Sequence, residues 1–369
     1  MRVGVVTTSY PRDADDFAGW FVAERVRAWL AEGHEVDVLA AGAPPGTARG
    51  ERLTITRLPA SLAGGPDLFA GAGAPEALEA GSAAALWGAA RFAASLAAEV
   101  ASRAPRWDRV ESHWLAPSAL AVLAAAPGLR HRATAHSGDV ALLERVPFGQ
   151  TFARLLARSG AELVFVSEDL RRRFAALAGR TCGVVSPLAR GPRPEPVAGE
   201  PSAPARGSFG EGPVVVSVAR LVPIKGLDVL VRACAPRAGD AAPLRLVVVG
   251  EGPERARLRR LADGLGVSLE LVGAVPRAEV HAWLRLADVY AQPSRTLPNG
   301  RAEGMPLATL EALDAGVPVV VSDSGGLAEL RAPNMDVRVV PAGDVLALAR
   351  ALRARLVLRA PGRDHVTAV

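Results

Sequence analysis

At 369 residues the chain is too long for one ordinary domain and comfortable for two, and with half its residues hydrophobic it can bury two full cores. No run of about eighteen residues is uniformly apolar, so no membrane-spanning helix is expected. The net charge of +5 is spread along the chain, which argues against nucleic acid and suits an anionic phosphate substrate or loose contact with an anionic membrane surface.

In chain order, apolar β-rich runs alternate with helical stretches. The start, Met1 to Val6, runs at once into Thr7, Thr8 and Ser9 and reads as a buried first strand over 3–9 instead of an export signal. Further strands are predicted at 36–41, 53–58, 109–114, 132–137, 162–167 and 182–186. Residues 60–83, rich in Gly, Ala and Pro, read as a mobile loop: an acceptor lid or a tolerated insertion. A Pro-, Gly- and Ser-rich linker over 191–213 separates a first domain, 1–190, from a second, 214–369. There strands are predicted at 214–219, 244–250, 269–273, 288–292, 317–322 and 337–341. Helices fall near 226–234, 253–265, 277–286, 306–315 and 344–358. Runs such as Leu246-Val247-Val248-Val249 are apolar on both faces, as in parallel sheets covered by helices. The expected architecture is therefore α/β, two doubly wound parallel-sheet domains facing a central cleft, with ligands at the carboxyl ends of the strands. Two distant cysteines, Cys182 and Cys234, make neither a disulfide framework nor a metal cluster and suit a reducing cytoplasm.

Three stretches of the second half carry candidate chemistry. Of 43 basic residues one is a lysine, Lys225, in a chain otherwise drifted to arginine; a compact ammonium is either retained for a site or left by chance. Arg220 and Lys225 flank the end of a strand and the start of a helix, where a pair of cations can offset a diphosphate, or are two surface cations on a loop. Pro306 marks the first turn of a helix, which puts Glu303 just before it and Glu311 inside it. The free amides of the stretch Gly304, Met305, Pro306 and Leu307 then favour an anion, and the two carboxylates can hold hydroxyls; the plainer reading is a capping acid and a solvated Glu311. Ser324-Gly325-Gly326 after a strand allows close backbone approach or is an ordinary turn.

The order and spacing of Arg220, Lys225, Glu303, Glu311 and the Gly-Gly turn resemble the retaining GT-B glycosyltransferases of family 4. Val249-Gly250-Glu251-Gly252-Pro253 and Val272-Gly273-Ala274-Val275-Pro276 resemble them too. The stretch from Gln292-Pro293-Ser294 to Glu329 resembles the members that build exopolysaccharide, capsule or lipopolysaccharide. In the first half Gly19 stands where the family places a glycine turn near the donor phosphates, and Gly33-His34-Glu35-Val36 resembles its closure before strand two. Thr134-Ala135-His136-Ser137-Gly138-Asp139 resembles the family's histidine turn, and Glu111-Ser112-His113-Trp114 a family segment near the cleft. Asp139 orients His136 or caps a helix. Asp13-Ala14-Asp15 is read as solvated, with no metal site. Family members carry a C-terminal helix that crosses back to the first domain; here Asp344 opens one helix to about Leu358.

The resemblance implies a cytoplasmic hexosyltransferase, at the inner face of the cell membrane in some readings, acting on a nucleotide-diphosphate sugar and a glycan, lipid-linked or small-molecule acceptor, with no metal required. It implies a retaining transfer, and because no candidate residue is a clear nucleophile the expected reaction is front-side. Arg220, Lys225 and the helix start near Gly304 stabilise the leaving diphosphate, Glu303 holds sugar hydroxyls, His136 contacts the sugar, Glu311 binds the ribose, and backbone near Val275 holds the base. The alternatives are an epimerase or glucan synthase on the same fold, or a non-catalytic sugar-nucleotide-binding subunit. A dehydrogenase fits least, because no G-x-G-x-x-G follows the first strand.

Overall fold

A computed structural model of the chain describes residues 1–13, 16, 18–42, 44–60, 83–187, 212–240, 242–331 and 335–357. It divides into two compact units, Met1–Gly191 and Pro192–Val369. The expected loop over 60–83 and linker over 191–213 lie almost wholly outside the described residues, as do Ala14 and Asp15.

In the first unit eight strands form one sheet: β1 (Arg2–Val6), β2 (Glu35–Ala41), β3 (Gly46–Arg49), β4 (Leu53–Leu58), β5 (Arg109–His113), β6 (His131–Ala135), β7 (Glu162–Phe165) and β8 (Val184–Val185). Their order is β3-β4-β2-β1-β5-β6-β7-β8. All pairings are parallel except β3 with β4. The antiparallel β3 was not expected, because Gly-Thr-Ala-Arg carries no apolar pattern; all four residues are exposed at the sheet edge. Alternation along β1 explains the layering. Val3 and Val5 pack with Val22, Val26 and Trp29 of helix α1 (Trp20–Ala31), whereas Val6 packs with Phe92, Leu96 and Val100 of α2 (Ala83–Arg103). One strand thus buries both faces, as its continuous apolar run requires. The other α-helices among the described residues of this unit are α3 (Leu120–Ala125), α4 (Gly138–Arg145), α5 (Gly149–Arg158) and α6 (Glu168–Ala178).

β1 stops at Val6, short of the expected 9, because the Thr7 hydroxyl closes a local turn: Oγ1 donates to the Ser9 carbonyl at 3.0 Å and accepts from the Ser9 amide at 3.2 Å. Short hydroxyl side chains compete with the sheet ladder in this way.

The second unit alternates β9 (Val214–Val218), α7 (Leu227–Ala233), β10 (Arg245–Val249), α8 (Arg255–Leu265), β11 (Ser268–Gly273), α9 (Arg277–Leu286), β12 (Val289–Gln292), α10 (Leu307–Asp314), β13 (Val319–Ser322), β14 (Val337–Val340) and α11 (Val345–Val357). Its sheet is wholly parallel, ordered β11-β10-β9-β12-β13-β14. Winding therefore reverses between β9 and β12, the topological switch point where loops at the carboxyl edge leave a crevice. Val215, Leu246 and Val248 of the sheet pack with Leu230 of α7, Leu258 of α8 and Leu348 and Leu352 of α11.

Candidate functional site

The loops leaving β9 and β12 flank the switch point of the second unit, and they carry the candidate residues. Arg220 and Lys225 follow β9; Glu303 lies on the segment between β12 and α10. Lys225 Nζ stands 2.9 Å from Glu303 Oε1, with the two side chains 13% and 12% exposed. Sequence reasoning gave these residues separate roles and did not pair them.

Several contacts fix this geometry. The Arg295 amide donates to the Ile224 carbonyl at 2.8 Å, which ties the β12 loop to the β9 loop. Asp228, at the start of α7, pairs with Arg295 from the other side. A fully buried chain of polar groups anchors the same loop. Tyr290 Oη donates to Gln292 Oε1 at 2.9 Å, Gln292 Nε2 donates to Ser294 Oγ at 2.9 Å, and Ser322 Oγ donates to the Ser294 carbonyl. Burial pushes the Tyr290 phenol up, so it stays a neutral donor. The Arg220 segment rests on the loop after β10, with the Leu221 amide donating to the Glu251 carbonyl at 2.8 Å.

The Gly-Gly turn closes on Glu303 itself. The Gly326 amide donates to the Glu303 carbonyl at 3.1 Å. Gly325 sits at φ 55°, and a Cβ there would lie 2.1 Å from that same carbonyl oxygen. A side chain at this position is thus excluded twice, by torsion and by contact.

The helix start differs from the expectation. α10 begins at Leu307, and Pro306 is its extended N-cap at φ −65°, ψ 121°, outside the first turn. Proline has no N–H, so the amides available there are those of Gly304, Met305 and Leu307. Gly304, Met305 and Pro306 are buried. Glu311 is not solvated: it lies 2.5 Å from Arg277 at the start of α9, a close ion contact in which that oxygen lacks hydrogen-bond alignment. Arg277 went unnoticed in the sequence because nothing in the order of residues relates α9 to α10. Val275 lies two residues before it, on the half-exposed loop after β11.

Gly19 and His136 belong to the first unit. Gly19 caps α1 at φ 70°, and a Cβ there would meet the Ser9 carbonyl oxygen at 2.1 Å, so the turn after β1 admits only glycine at this point. His136 follows β6. Its Nε2 lies 3.1 Å from Nδ1 of His113, and its ring packs against Phe21 and Trp114 at centroid distances of 4.6 and 4.8 Å. Burial holds both imidazoles neutral, His113 down to about 4 and His136 well below its usual value, where the neighbouring His113 adds to the effect. The Asp139 carboxylate does not meet the His136 ring. It accepts the backbone amides of Leu115 at 2.7 Å, Ser137 and Val140 at 3.0 Å and His136 at 3.2 Å, and so shapes the turn that presents the ring. Glu111 is also structural in its contacts, forked by Arg25 at 2.8 and 2.9 Å.

Comparison with known proteins places both units. Residues 212–356 match the family model described as "Glycosyl transferases group 1", and residues 18–187 match "Glycosyl transferase 4-like domain". The chain is similar to a GDP-mannose-dependent alpha-(1-6)-phosphatidylinositol monomannoside mannosyltransferase of Mycolicibacterium smegmatis, 34% identical over 254 residues that span 66% of each protein. In fold it is similar to sucrose-phosphate synthase from Thermosynechococcus elongatus, with TM-score 0.70 and 19% identity over 97% of this chain and 90% of that one. The UDP-forming trehalose-phosphate synthase from Burkholderia vietnamiensis gives TM-score 0.70 and 17% identity over 96% and 91%.

Proposed function

Because this chain belongs to the group 1 glycosyltransferases, with the GT-B fold, we propose that it moves a hexosyl group with retention from a nucleotide-diphosphate sugar to a glycan, lipid-linked or small-molecule acceptor. The Lys225–Glu303 contact at the β9/β12 switch point carries this reading. It sets a cation and a carboxylate side by side where a parallel sheet opens to a ligand, one suited to a diphosphate and the other to sugar hydroxyls.

In the proposed step the bond between the sugar C1 and the diphosphate oxygen breaks while the acceptor oxygen bonds C1 on the same face. The acceptor proton passes to the leaving phosphate oxygen. Arg220, Lys225 and the amides of Gly304, Met305 and Leu307 stabilise the negative charge that builds on the diphosphate, a task that needs no metal ion. Glu303 orients the sugar hydroxyls, Glu311 exchanges its arginine contact for the ribose hydroxyls, and backbone beside Val275 holds the base. Gly19, which the close Ser9 carbonyl requires, shapes the turn after β1 that approaches the phosphate, and His136, neutral, contacts the sugar.

The donor named for the mycobacterial relative makes GDP-mannose the first to test, and that relative's acceptor makes a lipid-linked sugar the first acceptor class. Among the described residues no helix is long and apolar enough to cross a membrane. Work in the cytoplasm at the inner membrane face, in assembly of a cell-surface glycoconjugate, is part of the same proposal.

The deciding experiment is a thermal-shift screen against GDP-mannose, UDP-glucose, ADP-glucose and TDP-glucose, followed by a transfer assay with the donor that binds. A donor at about a hundred times its Kd stabilises the folded protein by about 2.7 kcal/mol. If none of the four raises Tm and none yields free nucleoside diphosphate, the reading fails.

A further inference from the structure

Helix α5 turns Gly149, Ala153 and Leu156 inward and keeps a second apolar row outside. Phe148, its N-cap, is 76% exposed, Phe152 36% and Leu155 51%. Spaced i, i+4 and i+7, they share one face of the helix. A surface helix ordinarily turns such a row to the core, and large apolar groups gathered outside mark an interaction surface. Beside the row stand Arg154 and Arg158, both exposed, one helical turn apart; Arg145, exposed too, ends the preceding helix. The one acid between positions 144 and 158, Glu144, is forked by Arg173 at 2.5 and 2.8 Å, so the face is cationic. Phe148, Gln150, Thr151 and Arg154 border a cleft of about 320 Å³.

We propose that this face of α5 docks the protein on an anionic lipid bilayer. The two phenylalanine rings and Leu155 enter the boundary of the acyl chains, Arg154 and Arg158 lie at the level of the lipid phosphates, and the cleft accommodates a headgroup. An apolar stripe flanked by arginines is the pattern of a helix lying in the plane of the interface. Charge decides against a second copy as the occupant: two such faces brought together would oppose arginine to arginine, whereas anionic lipid neutralises them.

The test is flotation of the full chain with vesicles of phosphatidylcholine alone and of phosphatidylcholine with phosphatidylglycerol. The wild type should float with the anionic vesicles, less so in high salt, and weakly with the neutral ones. Phe152→Ser/Leu155→Ser and Arg154→Glu/Arg158→Glu should each lower partitioning by about tenfold or more. Both variants should keep the wild-type melting curve and the donor-induced shift, which separates failure here from failure of the donor reading. A wild type that stays unbound, or variants that float as well as it does, overturns the proposal. So does a dimer in light scattering that the Phe152→Ser/Leu155→Ser variant dissociates, because the face is then a contact between copies.

Discussion

The one lysine of the chain is held by the carboxylate that follows β12: Lys225 Nζ and Glu303 Oε1 are 2.9 Å apart, both largely shielded from water. A diphosphate entering beside Lys225 offers it a second anion, so the contact is one that a donor would share or displace. Lys225→Ala and Glu303→Gln should therefore part company. Each should lower transfer by roughly a hundredfold or more, the usual cost of about 3 kcal/mol for losing a preorganised charge contact. Free nucleoside diphosphate, however, should bind the lysine variant more weakly and the glutamine variant at least as tightly as the wild type. Calorimetric titration with GDP or UDP, beside initial rates, checks both; equal weakening in the two variants contradicts the division of roles.

Gly325 and Gly316 make a matched pair. Both have positive φ, 55° and 70°, but a Cβ at Gly325 runs into the Glu303 carbonyl, whereas one at Gly316 meets nothing within 4 Å. Gly316→Ala should cost only the torsional penalty, about 1 kcal/mol, and keep activity. Gly325→Ala should add a displacement of the Glu303 turn and lose transfer. Denaturant melts with rate measurements on both variants supply the comparison, and an active Gly325→Ala would separate the turn from the site.

Glu311→Ala removes the group assigned to the ribose. Donor affinity should fall roughly tenfold or more, the scale of about 1–3 kcal/mol for a charge-assisted hydrogen bond. Inorganic diphosphate, which has no ribose, should inhibit the variant and the wild type equally. Inhibition constants measured side by side test this, and a parallel loss for diphosphate would reassign Glu311 to the phosphates.

The buried histidines give a pH dependence with a definite sign. Burial depresses both His113 and His131 to about 4, below the 6.5 of an exposed imidazole. The unfolded chain thus takes up more protons than the folded one between those values. Stability is full above about 6.5 and is lost as pH falls toward 4. Asp139, whose carboxyl burial pushes up, acts in the opposite direction, so the test lies in a variant comparison. His131→Asn, at a position whose ring bonds Ser112 at 2.7 Å, should flatten the fall of Tm with decreasing pH. A slope unchanged from the wild type would contradict this.

The proposed charge neutralisation by Arg220, Lys225 and backbone amides leads to a simple expectation for metal removal. Transfer in excess EDTA should match transfer with added magnesium or manganese. A rate restored only by the divalent ion would assign part of the diphosphate charge to a metal.

The strands and helices of the second unit were legible in the sequence because its strands are short apolar runs and its helices periodic ones. The helix over 277–286 falls where the pattern put it, and β12 and β14 within a residue of it. β3 was not legible, since an edge strand without buried faces needs no apolar residues. Local competition also went unread: the Thr7 hydroxyl shortens β1, and Pro306 caps α10 without entering it.

By itself the sequence determined the elements that carry apolar runs or helical periodicity, since these are local properties, and which residue types lie near the strand ends. Only the tertiary structure decided partners: Lys225 with Glu303, Arg277 with Glu311, His113 with His136, and the backbone of Gly325 against the Glu303 carbonyl. The two members of each pair lie on different strands or helices, or on the segments that follow different strands. Such contacts follow from the order in which parallel strands are laid into a sheet, and spacing along the chain does not encode that order.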